Sequence, residues 1–98
     1  MGREAREKPK RLAEKLLQIR TALGVSQNGI LNLLGVSNKS YRNYISDFEN
    51  GIREPSLLIL LKYARLAGVY VDVLIDDDLD LPKNIPSPAK YRDGTKRK

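Results

Sequence analysis

The sequence predicts an all-α domain of five short helices, followed by an irregular, flexible C-terminal tail. Two observations carry this prediction. Apolar residues recur at intervals of three and four, which places them on one face of each helix. Serine and glycine residues stand at the ends of these apolar runs, where such residues start and stop helices. The chain has 98 residues, a length that suits one domain with a single modest core.

The first two helices come from consecutive apolar runs that Gly24 separates. The first is predicted over residues 10–23, with Pro9 in its opening turn, where proline is tolerated. The second is predicted over about residues 26–34, with Ser26 as its N-cap. The basic residues of the first helix, interpreted as a solvated face, are Lys10, Arg11 and Lys15. The residues predicted to face the core are Leu12, Leu16, Ile19, Leu23, Ile30, Leu33 and Leu34.

The third helix is predicted over residues 38–49, after a turn that begins at Gly35. Tyr41, Ile45 and Phe48 fall on one face of it at spacings of four and three. Tyr41 and Phe48 are therefore predicted to pack in the core rather than to stack on a ligand. The polar residues that lie away from that face are Arg42, Asn43, Ser46 and Asp47.

Two further helices and a tail complete the chain. Ser56 is the predicted N-cap of the fourth helix, and the fifth is the short segment "VDVLI" at 71–75, with Asp72 as its predicted cap. The segment "DDDLD" at 76–80 is acidic, whereas residues 83–98 carry six Lys or Arg and one Asp. A segment with so few apolar residues cannot form a core of its own. The acidic cluster is therefore predicted to be solvated.

The composition narrows the functional classes. A formal net charge of +6 favours a polyanionic partner, with nucleic acid as the first candidate and an anionic membrane surface as the second. The chain has no Cys and no His, which excludes disulfides, thiolate metal sites and chemistry that needs a thiol or an imidazole. No metal and no cofactor are predicted. The N-terminus is charged and leads into no apolar segment, and the longest apolar run is too short to span a bilayer.

Four segments, in order along the chain, resemble the Cro/cI-type (Xre) helix-turn-helix family of transcriptional regulators. They are "IRTALGVSQ" (19–27), "LLGVS" (33–37), "YISDFENGIREPS" (44–56) and "LLKYARLAGVYVDVLI" (60–75). The resemblance implies a lambda-repressor-like DNA-binding domain over residues 10–75, between a charged arm (1–9) and the acidic-then-basic tail (76–98). The helix-turn-helix would consist of the helices at about 26–34 and 38–49.

The resemblance also implies a role for each matching position. A helix about 10–12 Å across fits the major groove of B-DNA, which is about 12 Å wide. Arginine can donate two hydrogen bonds to guanine there, and asparagine can pair with adenine. The implied base contacts are Arg42, Asn43, Tyr44 and Asp47, although Arg42 and Asn43 also fit an ordinary solvated face. The implied contacts to the DNA backbone are Gln27, Asn38, Lys39, Ser40 and Arg53. The implied structural ion pair is Arg20 with Glu49.

Three features depart from the family pattern. The segment from Gly35 to Gly51 is longer by about one helical turn, with the excess placed near residues 38–41. Either the third helix begins earlier or the turn before it is enlarged. Leu31 stands where the family has alanine, which predicts a different spacing of the second and third helices. Asp47 on the DNA-facing side would repel phosphate, accept a hydrogen bond from cytosine, or pair with a neighbouring basic residue.

The resemblance implies a sequence-specific regulator that binds double-stranded DNA, acts as a homodimeric repressor and inserts helix 38–49 in the major groove. Such a protein would be cytoplasmic and nucleoid-associated. The alternative is an antitoxin or another protein-binding module that autoregulates through the same helix-turn-helix. In that case the tail 76–98 would grip a protein partner through Leu79, Leu81, Ile85 and Tyr91. An enzyme is disfavoured, because the chain has no Gly-rich phosphate loop and no imidazole or thiol.

Overall fold

The computed structural model describes residues 8–36 and 41–85, and the regular structure of these residues consists of five α-helices. The helices are α1 (Leu12–Leu23), α2 (Gln27–Leu34), α3 (Tyr41–Glu49), α4 (Leu57–Ala67) and α5 (Val71–Ile75). The all-α, five-helix prediction is confirmed. The predicted start of the third helix at residue 38, and with it the position of the additional turn, lies outside the described residues.

Helix ends with local signals lie where the sequence predicts them. The Ser26 hydroxyl accepts a hydrogen bond from the Gly29 amide at 3.0 Å, and the Ser56 hydroxyl accepts one from the Ile59 amide at 3.3 Å. Each hydroxyl thereby satisfies a first-turn amide that has no partner within its helix. Gly24 ends α1 with φ of 73°, a left-handed conformation that side chains with a Cβ disfavour.

One core holds the helices together, and α1 lies at its centre, in contact with α3, α4 and α5. The predicted core residues Leu16, Ile19 and Ile30 are fully buried. In α2 the helical phase differs slightly from the prediction: Leu31 is buried, whereas Leu33 is only half-buried at the edge of the core. The bulkier side chain at position 31 is thus accommodated inside the bundle.

The acidic segment after α5 is exposed at Asp76 and at residues 78–80, as predicted, whereas Asp77 is half-buried and has a structural role. The Asp77 carboxylate accepts hydrogen bonds from the Lys10 amide at 2.9 Å and the Arg11 amide at 3.0 Å. These amides precede the first turn of α1. Arg11 is the N-cap residue of this helix, but its side chain makes no capping hydrogen bond. The Arg11 guanidinium returns the contact by donating to the Asp77 carbonyl at 2.9 Å and to Asp80 at 2.7 Å. α1 begins at Leu12, two residues later than predicted, and Asp77 binds the amides of the two residues before it.

Two predictions near α5 are wrong. Lys15 is not part of a solvated face: it is fully buried, and its ammonium donates to the carbonyls of Val73 at 2.8 Å and Asp76 at 2.9 Å. These carbonyls lie at the C-terminal end of α5, where a positive charge is favourable. Asp72 lies in the first turn of α5, but Tyr70 is the N-cap residue and no side chain caps this helix.

The chain stays in contact with the bundle beyond α5. Leu81 and Ile85 pack against the core, and with Leu17, Thr21 and other residues they line a groove of about 500 Å³ along α1. These two residues are among those considered as anchors for a protein partner. In this structure they bury part of their surface against their own chain.

Candidate nucleic-acid interface

Helix α3 presents a polar face because its apolar face is anchored in the core. Ile45 is fully buried and Phe48 is 3% exposed, and the helix packs against α1 and α2. Arg42 and Asn43 lie away from this buried face and are exposed. The two side chains that the resemblance assigns to guanine and adenine are therefore accessible on a helix whose other face is packed in the core. A helix that enters the major groove needs this arrangement.

A partly buried ion pair joins the C-terminal end of α3 to α1. Arg20 Nε lies 2.6 Å from Glu49 Oε2, and Arg20 Nη2 donates to Glu49 Oε1 at 3.0 Å. The Glu49 side chain is only 6% exposed. Hydrogen bonding to Glu49 raises the pKa of the Arg20 guanidinium. This forked geometry gives direction as well as attraction, so it orients α3 relative to α1.

Gln27 belongs to the same network. Its side-chain amide donates to Glu49 Oε1 at 3.3 Å, and Gln27 is half-buried at the first position of α2. The network therefore joins three helices through one carboxylate. A contact between Gln27 and a DNA phosphate remains a prediction, and the Gln27 amide would have to share its donors between that phosphate and Glu49.

Tyr44 is half-buried within a cluster of rings on the side of α3. Its ring centroid lies 4.7 Å from that of Tyr41 and 6.5 Å from that of Phe48, both in tilted arrangements. The Arg53 guanidinium lies over the Tyr44 ring, with Cζ 4.1 Å from the centroid. This distance is within the range of cation–π attraction.

Asp47 has a basic neighbour, which is one of the alternatives that the sequence leaves open. Arg53 Nε lies 3.5 Å from Asp47 Oδ2, and both side chains are partly exposed. The Asp47 carbonyl also accepts hydrogen bonds from the amides of Ile52 at 2.9 Å and Arg53 at 3.3 Å. The loop after α3 is therefore folded back onto the residue that bears this carboxylate.

The remaining basic groups around α3 come from its flanks. The Lys62 ammonium lies beside Gly35, which ends α2: its Nζ is 3.9 Å from the position that a Cβ would take at this glycine. Asn38, Lys39 and Ser40, predicted to contact the DNA backbone, lie outside the described residues. The described charges thus include Arg42 on α3, Arg53 after it and Lys62 beside the preceding turn. A set of cations around an exposed helix suits a polyanion.

Other kinds of site find little support within residues 8–36 and 41–85. This part of the chain holds no group of three or more acidic side chains arranged to bind a metal ion. None of its helices has the length and apolar content needed to cross a membrane.

Comparison with known proteins agrees with this geometry. A family model described as "Helix-turn-helix" matches residues 16–74, which includes α2, α3 and the turn between them. The chain belongs to the Cro/cI-type helix-turn-helix family. It is also 36% identical over 62 residues to the "SPbeta prophage-derived uncharacterized HTH-type transcriptional regulator YonR" of Bacillus subtilis (strain 168).

That match covers 63% of this chain and 54% of the relative, so the chain spans about half the length of the curated relative that it matches. No solved structure matches the sequence.

Proposed function

We propose that this protein is a sequence-specific transcriptional regulator that binds double-stranded DNA with α3 in the major groove. The observation that carries the proposal is the two-sided character of α3. Ile45 and Phe48 anchor it in the core, while Arg42 and Asn43 are exposed on the other side. Membership of the helix-turn-helix family and the similarity to a protein named as a transcriptional regulator support the same function.

The proposal divides the contacts into those that specify and those that position. Arg42 is proposed to donate two hydrogen bonds to a guanine, and Asn43 to pair with an adenine. The residues proposed to contact the DNA backbone are Gln27, Asn38, Lys39, Ser40 and Arg53. Because these contacts neutralise phosphates and release counterions, affinity should fall steeply as salt rises.

Selection of bound duplexes from a random pool at defined salt tests the proposal. We expect one sequence to be enriched, and we expect Arg42→Ala or Asn43→Ala to change the preferred base at single positions. Each lost bidentate contact should reduce discrimination by about 1–3 kcal/mol. Arg65→Ala is the matched control, since Arg65 is exposed on α4 and its loss removes the same charge. Failure to enrich any sequence, or an unchanged preference in both α3 variants, would refute the proposal.

We further propose that the protein acts as a homodimer and represses transcription. Three large aliphatic side chains close to α3 in sequence are exposed: Ile52 by 72%, Leu57 by 82% and Leu58 by 68%. Exposed aliphatic side chains close in sequence to a recognition helix suit contact with a second copy of the chain, because a two-fold assembly presents two α3 helices to adjacent major grooves. A dimer on a promoter would exclude the polymerase from the same DNA, and a reporter assay with the selected site measures the direction of regulation.

A further inference from the structure

Arg53 follows α3 in the loop that leads to α4, and two side chains fix its guanidinium. Its Cζ lies 4.1 Å from the centroid of the Tyr44 ring, and its Nε lies 3.5 Å from Asp47 Oδ2. The Arg53 amide also donates to the Asp47 carbonyl at 3.3 Å. Asp47 therefore holds Arg53 through both backbone and side chain, and Tyr44 supplies the surface beneath the guanidinium.

The position of Asp47 on α3 means that its own helix does not stabilise its carboxylate. Asp47 lies in the last turn of the helix, where the exposed carbonyls disfavour a negative charge, and this turn has no basic residue. Arg53 supplies the positive charge from the loop that follows. The Asp47 carboxylate is thus directed to Arg53 and not to an open groove.

The surroundings of Tyr44 also show a side chain that interacts with Arg53. Its ring contacts Tyr41 at a centroid distance of 4.7 Å and carries the Arg53 guanidinium over one face. A ring held in this way is a platform for another side chain. The Arg53 side chain, by contrast, is 47% exposed, so its outer donors are accessible.

We propose that Tyr44 positions the Arg53 guanidinium for contact with a DNA phosphate, that Asp47 pairs with Arg53 while no DNA is bound, and that neither Tyr44 nor Asp47 reads a base. This inference rests on the proposed function. When a duplex docks, a phosphate oxygen replaces the Asp47 carboxylate as the partner of the guanidinium, while the Tyr44 ring keeps the guanidinium in place. Because Asp47 competes with every phosphate alike, it lowers the affinity for all duplexes and carries no sequence information.

Asp47→Asn separates this role from base reading. We expect the variant to bind the selected duplex and a scrambled duplex more tightly by the same factor, about two- to fivefold, as the loss of an exposed ion pair allows. The selected sequence should not change. If Asp47 instead accepts a hydrogen bond from cytosine, the variant binds only the selected duplex more weakly and its preference relaxes at one base pair. That result, or equal affinities of variant and wild type, overturns the inference.

A double-mutant cycle shows whether the effect passes through Arg53. In the Arg53→Met background, Asp47→Asn should no longer raise the affinity. A gain that persists would mean that Asp47 repels phosphate directly, and would overturn the role assigned to its pairing with Arg53. Asp72→Asn is the charge control, because it removes an exposed carboxylate from α5 and should leave the affinity unchanged. Tyr44→Phe keeps the ring and should also bind as the wild type does, whereas weaker binding would assign a contact to the hydroxyl.

The outcomes distinguish this inference from the proposed function. If the wild type binds no duplex, both fail. If the wild type selects a sequence through Arg42 and Asn43 while Asp47→Asn shifts the preferred base, only the inference about Asp47 and Tyr44 fails. Circular dichroism of each variant before the binding assay establishes that it is folded.

Discussion

At the scale of single residues, the core contains a buried polar group without a partner. Tyr63 is fully buried, and its hydroxyl has no hydrogen-bond partner among the described residues. Burial also raises the pKa of the phenol. Since an unsatisfied buried hydroxyl costs about 1–3 kcal/mol, we expect Tyr63→Phe to unfold no more easily than the wild type, and to gain up to about 1 kcal/mol. Chemical denaturation followed by circular dichroism measures the difference.

Lys15 provides the contrast, because this buried polar group is satisfied. Its ammonium donates to the carbonyls of Val73 and Asp76 at the end of α5. Lys15→Met keeps most of the side-chain volume but leaves both carbonyls without this donor, so we expect a loss of roughly 1–3 kcal/mol in the free energy of unfolding. If Tyr63→Phe were destabilised by as much, its hydroxyl would have a partner outside the described residues.

At the scale of elements, the start of α1 depends on a residue near the other end of the domain. Asp77 accepts hydrogen bonds from the Lys10 and Arg11 amides, and these bonds lower the pKa of its carboxyl. A carboxyl whose pKa is lower in the folded than in the unfolded state stabilises the fold above its unfolded pKa, near 3.9. That contribution is lost as the pH falls through the folded value. The cap is therefore present at neutral pH and absent in acid.

We expect Asp77→Ala to lower the melting temperature at pH 7 and to approach the wild type as the pH falls below about 4. Thermal melts followed by circular dichroism across this range measure the gap. Asp78→Ala is the matched control, because Asp78 is an exposed neighbouring acid whose carboxylate is not the one that caps α1. A gap that stays constant in acid, or an equal effect of the control, would contradict the capping role.

The elements also show which features of the fold a sequence can predict. Ser26 and Gly24 act within a few residues of their own position, so the ends that they define follow from local pattern. The cap of α1 joins residues 67 positions apart, and no local pattern encodes such a contact. One signal was present: no Ser, Thr, Asp or Asn stands just before Leu12, so any side-chain cap had to come from elsewhere.

In the candidate interface, too, some features follow from local sequence pattern and others depend on the tertiary structure. Exposure of Arg42 and Asn43 follows from helical period, because they lie one and two positions after Tyr41, which is about 100° and 200° around the helix from it. The partners of Tyr44 and Asp47 depend on the path of the loop that carries Arg53, which period does not specify. The sequence could therefore identify the face of α3 but not the use of each side chain on it.

At the scale of the whole molecule, the proposed dimer depends on the exposed aliphatic side chains of Ile52, Leu57 and Leu58. Leu57 is 82% exposed, so Leu57→Lys should not disturb the fold, but it would place two charges in a two-fold interface. We expect the wild type to sediment as a dimer and the variant as a monomer. On a site with two half-sites about 34 Å apart, the variant should lose roughly tenfold or more in affinity, with binding to a single half-site unchanged. Tyr70→Lys is the control, since Tyr70 is 84% exposed between α4 and α5. A wild type that stays monomeric while bound to such a site would refute the dimer, and a control that dissociates equally would show that the effect is not specific to Leu57.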